Sequence, residues 1–328
     1  MKYRTLGKTG FRISEVSLGT WQLGARWGDK FDPKVAEETL NSAIDLGINF
    51  IDTADVYSDG LSEHYTSKVV KQRKEDVYIA TKCGRRLKPH TTEGYNDKNI
   101  RGFVEDSLKN MGIDCIDLIQ LHCPTTEVFY RPEVFGTLDR LVEEGKLKFY
   151  GVSVEQVEQA MKAIEFPNVS TVQNIFNIFR QRPNDLFFRE AKRKNVGIIV
   201  RVPLASGLLS GKFSRDTVFE PTDHRFFNRE GKSFDKGETF AGVPYEIGLE
   251  AVDRLKSIFG KQENLALYAL RWVLMFDEVS CTIPGASRKE QIVNNVKASD
   301  LPAIPLQKME DVRKVYEEMV KPYVHQLW

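Results

Sequence analysis

The chain has no long apolar run. Nothing in it approaches the roughly 18 consecutive apolar residues of a membrane-spanning helix, and its first residues lack the apolar core of a secretion signal. It has no excess of charge either. Lysine and arginine number 47 and aspartate and glutamate 46, a net +1. That balance argues against a nucleic-acid or membrane surface as partner, since both attract a clustered basic excess. Cysteine is sparse: Cys83, Cys115, Cys123 and Cys281 lie without metal-type spacing and read as free thiols of a reducing compartment. No low-complexity tract or linker divides the chain. The expectation is one domain over residues 1–328, soluble and cytoplasmic, with no nucleic-acid partner and no membrane insertion.

Two phosphate motifs are missing as well. The first apolar strand is followed by LGTWQLGARWG, which does not match the Gly-rich dinucleotide turn G-x-G-x-x-G. SGLLSGKF (Ser206–Phe213) is one residue too short between its glycines for a P-loop and lacks the Ser/Thr after Lys212, which excludes triphosphate hydrolysis. Only one of five histidines ends an expected strand. A metal-dependent hydrolase would want several ligands at one mouth, so no metal site is expected.

What is present is an alternation. Expected strands are Val16–Gly19, Asn49–Ala54, Val77–Lys82, Ile116–His122, Phe149–Ser153, Thr171–Phe176, Gly197–Pro203 and Val279–Gly285. They are short, rich in Val, Ile and Leu, and mostly without polar alternation, as parallel strands buried on both faces are. Between them lie amphipathic helical patterns at Lys34–Leu46, Ser62–Gln72, Asn99–Met111, Pro132–Glu144, Gln156–Ile164, Asp185–Lys194, Asn264–Met275 and Lys289–Ala298. Gly47 and Gly112 stand where helices stop, and Pro132 suits a first helical turn. The fold class predicted is α/β, a (β/α)₈ TIM barrel. Tyr3–Ser14 adds an N-terminal β-hairpin over the barrel floor, Ser214–Tyr245 a long loop after strand seven, and Lys308–Val324 an extra C-terminal helix.

In such a barrel the C-terminal strand ends face one mouth, where chemistry collects. Asp52 lies near the end of strand two, Tyr57 on the loop beyond it, Lys82 ends strand three and His122 ends strand four. Singly, each has an ordinary explanation: a turn former, packing, a solvated lysine, a satisfied core histidine. Together they suit proton transfer to an oxygen. A free phenol titrates near ~10, and a neighbouring ammonium lowers that value. Asp52 would pair the buried Lys82, Tyr57 would act as general acid, and His122 would orient and polarise a carbonyl oxygen.

At these residues the sequence resembles the aldo-keto reductases. SLGTWQLG, NFIDTADVYSDGLSE, IATK, IDLIQLH, GKLKFYGVS, TVQNIFN, VPLASGLLSGK and CTIPGASRKEQIVNN carry the resemblance over nearly the whole chain. It implies reversible hydride transfer between a nicotinamide cofactor and an aldehyde or ketone, with Asp52, Tyr57, Lys82 and His122 as the tetrad. It also implies cofactor contacts. Gly19, Thr20, Trp21 and Asp52 fall at the nicotinamide side, and Ser153 and Gln173 at its carboxamide. Pro203, Leu204, Ser206, Gly207, Leu209 and Lys212 fall along the pyrophosphate. Gly285, Ala286, Ser287, Gln291, Asn294 and Asn295 fall at the adenosine end. Arg288 could pair a 2′-phosphate, which favours NADPH, with NADH left open. Two positions depart from the family. Val154 replaces the usual Asn after strand five, and Arg201 stands where an aromatic often stacks on the nicotinamide.

The same family includes potassium-channel β subunits, so a regulatory module stays open beside a carbonyl reductase. The substrate expected is a small carbonyl compound. Its pocket walls would come from Trp21, Trp27, the Ser214–Tyr245 loop and Trp328.

Overall fold

The computed structural model describes residues 1–25 and 30–328; Trp27, an expected pocket wall, lies outside the described residues. The chain opens with a hairpin, β1 (Tyr3–Thr5) paired antiparallel to β2 (Arg12–Ser14). Eight parallel strands follow in sequential order: β3 (Leu18–Gly19), β4 (Phe50–Asp52), β5 (Tyr78–Cys83), β6 (Ile116–His122), β7 (Leu147–Ser153), β8 (Val169–Ile175), β9 (Gly197–Arg201) and β10 (Val279–Thr282). Bridges from Val16 to Thr282 and from Gly19 to Gly285 close the sheet on itself. The predicted barrel is therefore the fold, with strand positions close to those read from the sequence.

The helices are α1 (Pro33–Asp45), α2 (Leu61–Gln72), α3 (Asp97–Met111), α4 (Pro132–Glu143), α5 (Val157–Ala163), α6 (Phe187–Arg193), α7 (His224–Phe227), α8 (Tyr245–Phe259), α9 (Leu265–Val273), α10 (Lys289–Val296), α11 (Leu306–Val315) and α12 (Lys321–Val324). Their ends follow local chemistry. The Asp32 carboxylate accepts from the amides of Lys34 and Val35 at 2.9 and 3.2 Å, with Pro33 opening α1. Asn96 caps α3 through the Asn99 amide at 3.1 Å, and Gly112 ends it in the left-handed conformation.

Two details add to the expected fold. The long segment Ser214–Tyr245 is irregular apart from the short α7 and single 3₁₀ turns, and it runs into a helix the sequence reading did not include, α8, whose buried Leu249, Val252, Leu255 and Phe259 repeat at helical spacing. The expected C-terminal helix is there and runs without a break from Leu306 to Val324, with a π turn at Tyr316–Val320 between α11 and α12. The chain ends with Trp328 buried under the Arg180 guanidinium, 4.0 Å from ring centre to Cζ.

The barrel interior changes character along its axis. Phe50, Ala80, Leu118, Ile199 and Cys281 form an apolar plug, closed below by Leu6 and Ile13 of the hairpin. Two residues further along three of those strands come Asp52, Lys82 and Gln120. A strand repeats every two residues, so the same inward face turns from apolar to polar one step before the strands end. That step positions the site.

Candidate active site

Lys82 is the centre of the polar layer. Its side chain is 1 % exposed, so its ammonium needs partners in place of water. It donates to Asp52 Oδ1, to the Thr53 carbonyl oxygen at 2.9 Å and to the Tyr57 hydroxyl at 3.4 Å. Burial alone would depress its pKa, but Asp52 and Tyr57 more than offset that, and the value is raised. Asp52 is held from its other side: Oδ2 accepts from Gln120 Nε2 at 3.0 Å and from Gln173 Nε2 at 2.8 Å. Both carboxylate oxygens are thus fixed, and with them the ammonium.

Tyr57 arrives by a strained turn. Ser58 and Asp59 both have positive φ, 48° and 53°, and Gly60 has +83°. Left-handed conformations in non-glycine residues cost on the order of 1 kcal/mol or more each. A Cβ at Gly60 would lie 2.7 Å from Asn110 Nδ2, so glycine is required there before α2 can start. The turn brings the Tyr57 ring edge-on to His122, 6.0 Å between centroids at 82°. His122 is 6 % exposed, and its Nδ1 has no hydrogen-bond partner among the described residues. Burial first, then the charges of Arg85, Lys82 and Arg201, hold its pKa well below the usual histidine value. It is a neutral imidazole.

One electrostatic expectation fails. Lys82 does not leave the phenol more acidic than normal in this state. Burial raises the Tyr57 pKa, Asp52 adds to the rise, and Lys82 opposes it without winning. The phenol therefore stays protonated, while Lys82 stands ready to stabilise the phenolate left when it gives up its proton.

The other expected residues divide. Gly19 pairs with Asp52 across β3 and β4, and the Thr20 amide and hydroxyl both donate to the Asp52 carbonyl oxygen, at 2.9 and 3.0 Å. Trp21 stands edge-on to His224 of α7, 4.8 Å between centroids. Ser153 is the register partner of both His122 and Gln173. Gln173 gives its amide nitrogen to Asp52 and, at 3.2 Å, to Gln120 Oε1, which leaves only its oxygen for a ligand. Pro203 and Leu204 lead into a turn where Ala205, Ser206 and Gly207 all have positive φ. Leu209 and Ala286, by contrast, are 0 % and 1 % exposed, so their side chains belong to the core and only their backbones could meet a ligand. Lys212 is exposed.

Arg201, which stands at the stacking position, is held through its in-plane donors. Its Nη2 donates to the Val154 carbonyl oxygen at 3.0 Å and Glu155 Oε2 at 3.0 Å, and lies 3.5 Å from Cys123 Sγ.

Several residues here escaped the sequence reading: Gln120, Arg85, Glu155 and Glu238. Gln120 had a signal, since it sits two before His122 on the same inward face. Cys123, Glu155 and Glu238 bring ligand-type atoms within 4.8 Å of one another. Arg85 and Arg201 already neutralise that group, and burial pushes the Cys123 thiol up to about 12. The two guanidiniums thus already supply the positive charge a metal ion would bring there.

A phosphate-bearing cofactor fits what lies around β10. A Cβ at Gly285 would meet nothing nearer than 3.9 Å, so the backbone there borders open space. α10 begins beyond it with no side-chain cap, which leaves first-turn amides for an anion. Ser287 is tied to Gln291 Oε1 through its amide (2.7 Å) and hydroxyl (3.2 Å). Arg288 is exposed and makes no ion pair among the described residues, and Asn294 and Asn295 follow on the same helix.

Comparison with known proteins agrees. A model of the aldo/keto reductase family matches residues 15–317. A probable voltage-gated potassium channel subunit beta of Oryza sativa subsp. japonica is 30 % identical, over 96 % of this chain and 95 % of its own. The aldo-keto reductase YhdN of Bacillus subtilis (strain 168) is 30 % identical, over 89 % and 87 %. Among solved structures, the holo form of aldo-keto reductase AKR11C1 from Bacillus halodurans superposes with a TM-score of 0.77 at 26 % identity, over 96 % of each chain.

Proposed function

The chain belongs to the aldo/keto reductase family, and on that premise we propose that it reduces aldehydes or ketones to alcohols, reversibly, with Tyr57 as the proton donor. The observation that carries the reading is the single ammonium of Lys82, which touches both the Asp52 carboxylate and the Tyr57 hydroxyl beside a neutral His122. When bound, a nicotinamide cofactor supplies the hydride that no side chain can.

The chain's own part is the proton and the geometry. His122, neutral because it is buried among cations, donates a hydrogen bond to the carbonyl oxygen without adding a charge that would have to be desolvated. Tyr57, kept protonated by burial, gives its proton to that oxygen as negative charge develops on it. The phenolate left behind is paired at once by Lys82, whose own charge is held in place by Asp52. Gln120 and Gln173 fix Asp52 and so fix Lys82; they are positioning residues. The oxidation of an alcohol runs the same contacts backwards.

For the cofactor, Ala205–Gly207 and the first turn of α10 would hold phosphates, and Arg288, without an ion-pair partner among the described residues, would take a 2′-phosphate. This favours NADPH over NADH. A regulatory role like that named for the rice relative is the second reading, and the likeness over nearly the full length of both chains is what favours it. The deciding experiment is cofactor consumption by the purified protein over a panel of aldehydes, ketones and sugars, with NADPH and NADH in parallel. Turnover that depends on NADPH is expected. No turnover of any carbonyl with either cofactor would move the chain to the regulatory reading.

A further inference from the structure

Directly beside the tetrad, four charged side chains meet, of which carbonyl reduction as described above uses Arg85 and Arg201 only for the charge they set around His122. Arg85 follows β5, Glu155 follows β7, Arg201 ends β9, and Glu238 reaches in from the turn Lys236–Glu238 of the long segment after β9. Arg85 Nη2 donates to Glu155 Oε1 at 3.0 Å and to Glu238 Oε1 at 2.7 Å. Arg201 Nη2 donates to Glu155 Oε2 at 3.0 Å, and its Nη1 lies 3.5 Å from Glu238 Oε1. Cys123, next in the chain after His122, has its Sγ 3.5 Å from Arg201 Nη2. The cluster therefore starts one residue from the imidazole expected to hold the carbonyl.

Its hydrogen-bonding capacity is lopsided. Arg201 Nε is buried and has no partner among the described residues. Arg85 uses only Nη2 in its hydrogen bonds, leaving Nε and Nη1 without an acceptor among the described residues. What is left over on the two guanidiniums is donors, of which Arg201 Nε is buried. Buried donors without acceptors are costly, and a guanidinium pairs best with a planar, bidentate anion. The charges lean the same way. Burial, ahead of the opposing Arg201, raises Glu155 to about 7, whereas Arg85 and Arg201 overcome burial and hold Glu238 down to about 2. Near neutral pH two full positive charges thus face one full and one partly protonated carboxylate.

Glu238 is the member that can leave. Its side chain is 19 % exposed and Arg85 is 24 % exposed, so the pair is reached from solvent. Its backbone is fixed independently, because Ser206 Oγ donates to the Glu238 carbonyl oxygen at 2.9 Å and accepts from the Phe240 amide at 3.2 Å. Rotation of one side chain would uncover both guanidiniums and leave the segment in place.

We propose that Arg85 and Arg201 form a subsite for an anionic group, a carboxylate or a phosphate, carried by the carbonyl substrate, and that Glu238 occupies it when no substrate is bound. This rests on carbonyl reduction at Tyr57 and names the class of carbonyl. Exchange of one carboxylate for another conserves the charge of the cluster and brings acceptors to the unused donors. A purely apolar tail would leave those donors unpaired.

The test uses the full-length protein with cofactor and a matched pair, 4-oxobutanoate and butanal, which differ in a terminal carboxylate against a methyl. kcat/KM is expected to favour 4-oxobutanoate at least tenfold. Arg85→Leu should cut that preference at least tenfold, and Glu238→Gln, which removes the competing charge, should raise it. Succinate should inhibit butanal reduction by the unaltered protein competitively, and succinamide should not, a readout that survives a variant that fails to fold. Glyceraldehyde 3-phosphate against glyceraldehyde decides between phosphate and carboxylate as the better-fitting anion. No preference for 4-oxobutanoate over butanal together with none for glyceraldehyde 3-phosphate over glyceraldehyde overturns the subsite and leaves carbonyl reduction standing. No cofactor consumption with any of these carbonyls overturns both.

Discussion

Replacing Lys82 with Met separates what the buried ion pair does for stability from what it does for chemistry. Lys82 and Asp52 are 1 % and 2 % exposed, so little water can compensate for the loss of either. Methionine fills most of the lysine volume but gives nothing to Asp52 Oδ1 or to the Thr53 carbonyl oxygen, both of which Lys82 serves. Asp52 then keeps only the two amide donors on Oδ2, Gln120 at 3.0 Å and Gln173 at 2.8 Å. An uncompensated buried charge of this kind typically costs about 3–5 kcal/mol. With a urea dependence of about 3 kcal/mol per M, the unfolding midpoint should fall by about 1–2 M. Removing the orphaned charge as well, in Asp52→Asn/Lys82→Met, should return most of that loss, because a buried pair is worth little over a neutral isostere. Both variants should be inactive. Urea unfolding followed by circular dichroism and tryptophan fluorescence measures the first part, and cofactor consumption the second. If Lys82→Met unfolds within about 0.3 M urea of the unaltered protein, the pair is not the buried, mutually dependent unit described, and the reasoning from burial to function fails with it.

Three other outcomes follow from the same geometry. Asp55 is 1 % exposed, no side chain or backbone group among the described residues makes a well-formed hydrogen bond to either carboxylate oxygen, and burial, then Glu63, raise it from the ordinary 3.8 to about 7. Since the folded state holds this proton more tightly than the unfolded one, the stability it contributes is whole below about pH 4 and lost as pH rises towards 7. Asp55→Asn should therefore raise the unfolding midpoint at pH 8 and change it little at pH 4; the opposite ordering would contradict the burial argument. Arg288→Ala should raise KM for NADPH about tenfold, the worth of one charge-assisted contact, with KM for NADH nearly unchanged; equal effects on both cofactors would remove Arg288 from 2′-phosphate recognition. Activity should survive excess chelator, and its loss would reopen the cluster of Cys123, Glu155 and Glu238 as a cation site.

The sequence pattern carries the barrel because parallel strands buried on both faces have to be short and apolar, and β6 was read to its last residue. It carries the four residues at the strand ends for a related reason: a polar side chain where an apolar strand should continue has few explanations. The helix Tyr245–Phe259 was not legible, since it follows a polar, glycine-containing stretch and adds a helix that the eightfold alternation does not call for. The ionic cluster was hidden by distance along the chain. Arg85 and Glu238 are 153 positions apart, and no local pattern marks two residues that meet only after a barrel has closed. The phenol was misjudged because a list of neighbours gives the sign of each influence but not its weight. Burial, which outweighs Lys82 at Tyr57, appears only when the ring is seen in place. Leu209 and Ala286 are motif members whose side chains the core claims, which leaves their backbones as the part that could meet a ligand.

The most direct measurement is the single-turnover rate of carbonyl reduction in Tyr57→Phe, with the cofactor bound beforehand and its binding checked by fluorescence. The hydroxyl is the only group removed, and Lys82, Asp52 and His122 keep their places. A fall of about 10²–10⁴ in that rate, with cofactor affinity retained, is the predicted result. A rate within threefold of the unaltered protein would mean that the proton comes from elsewhere, and the account of this site would be wrong.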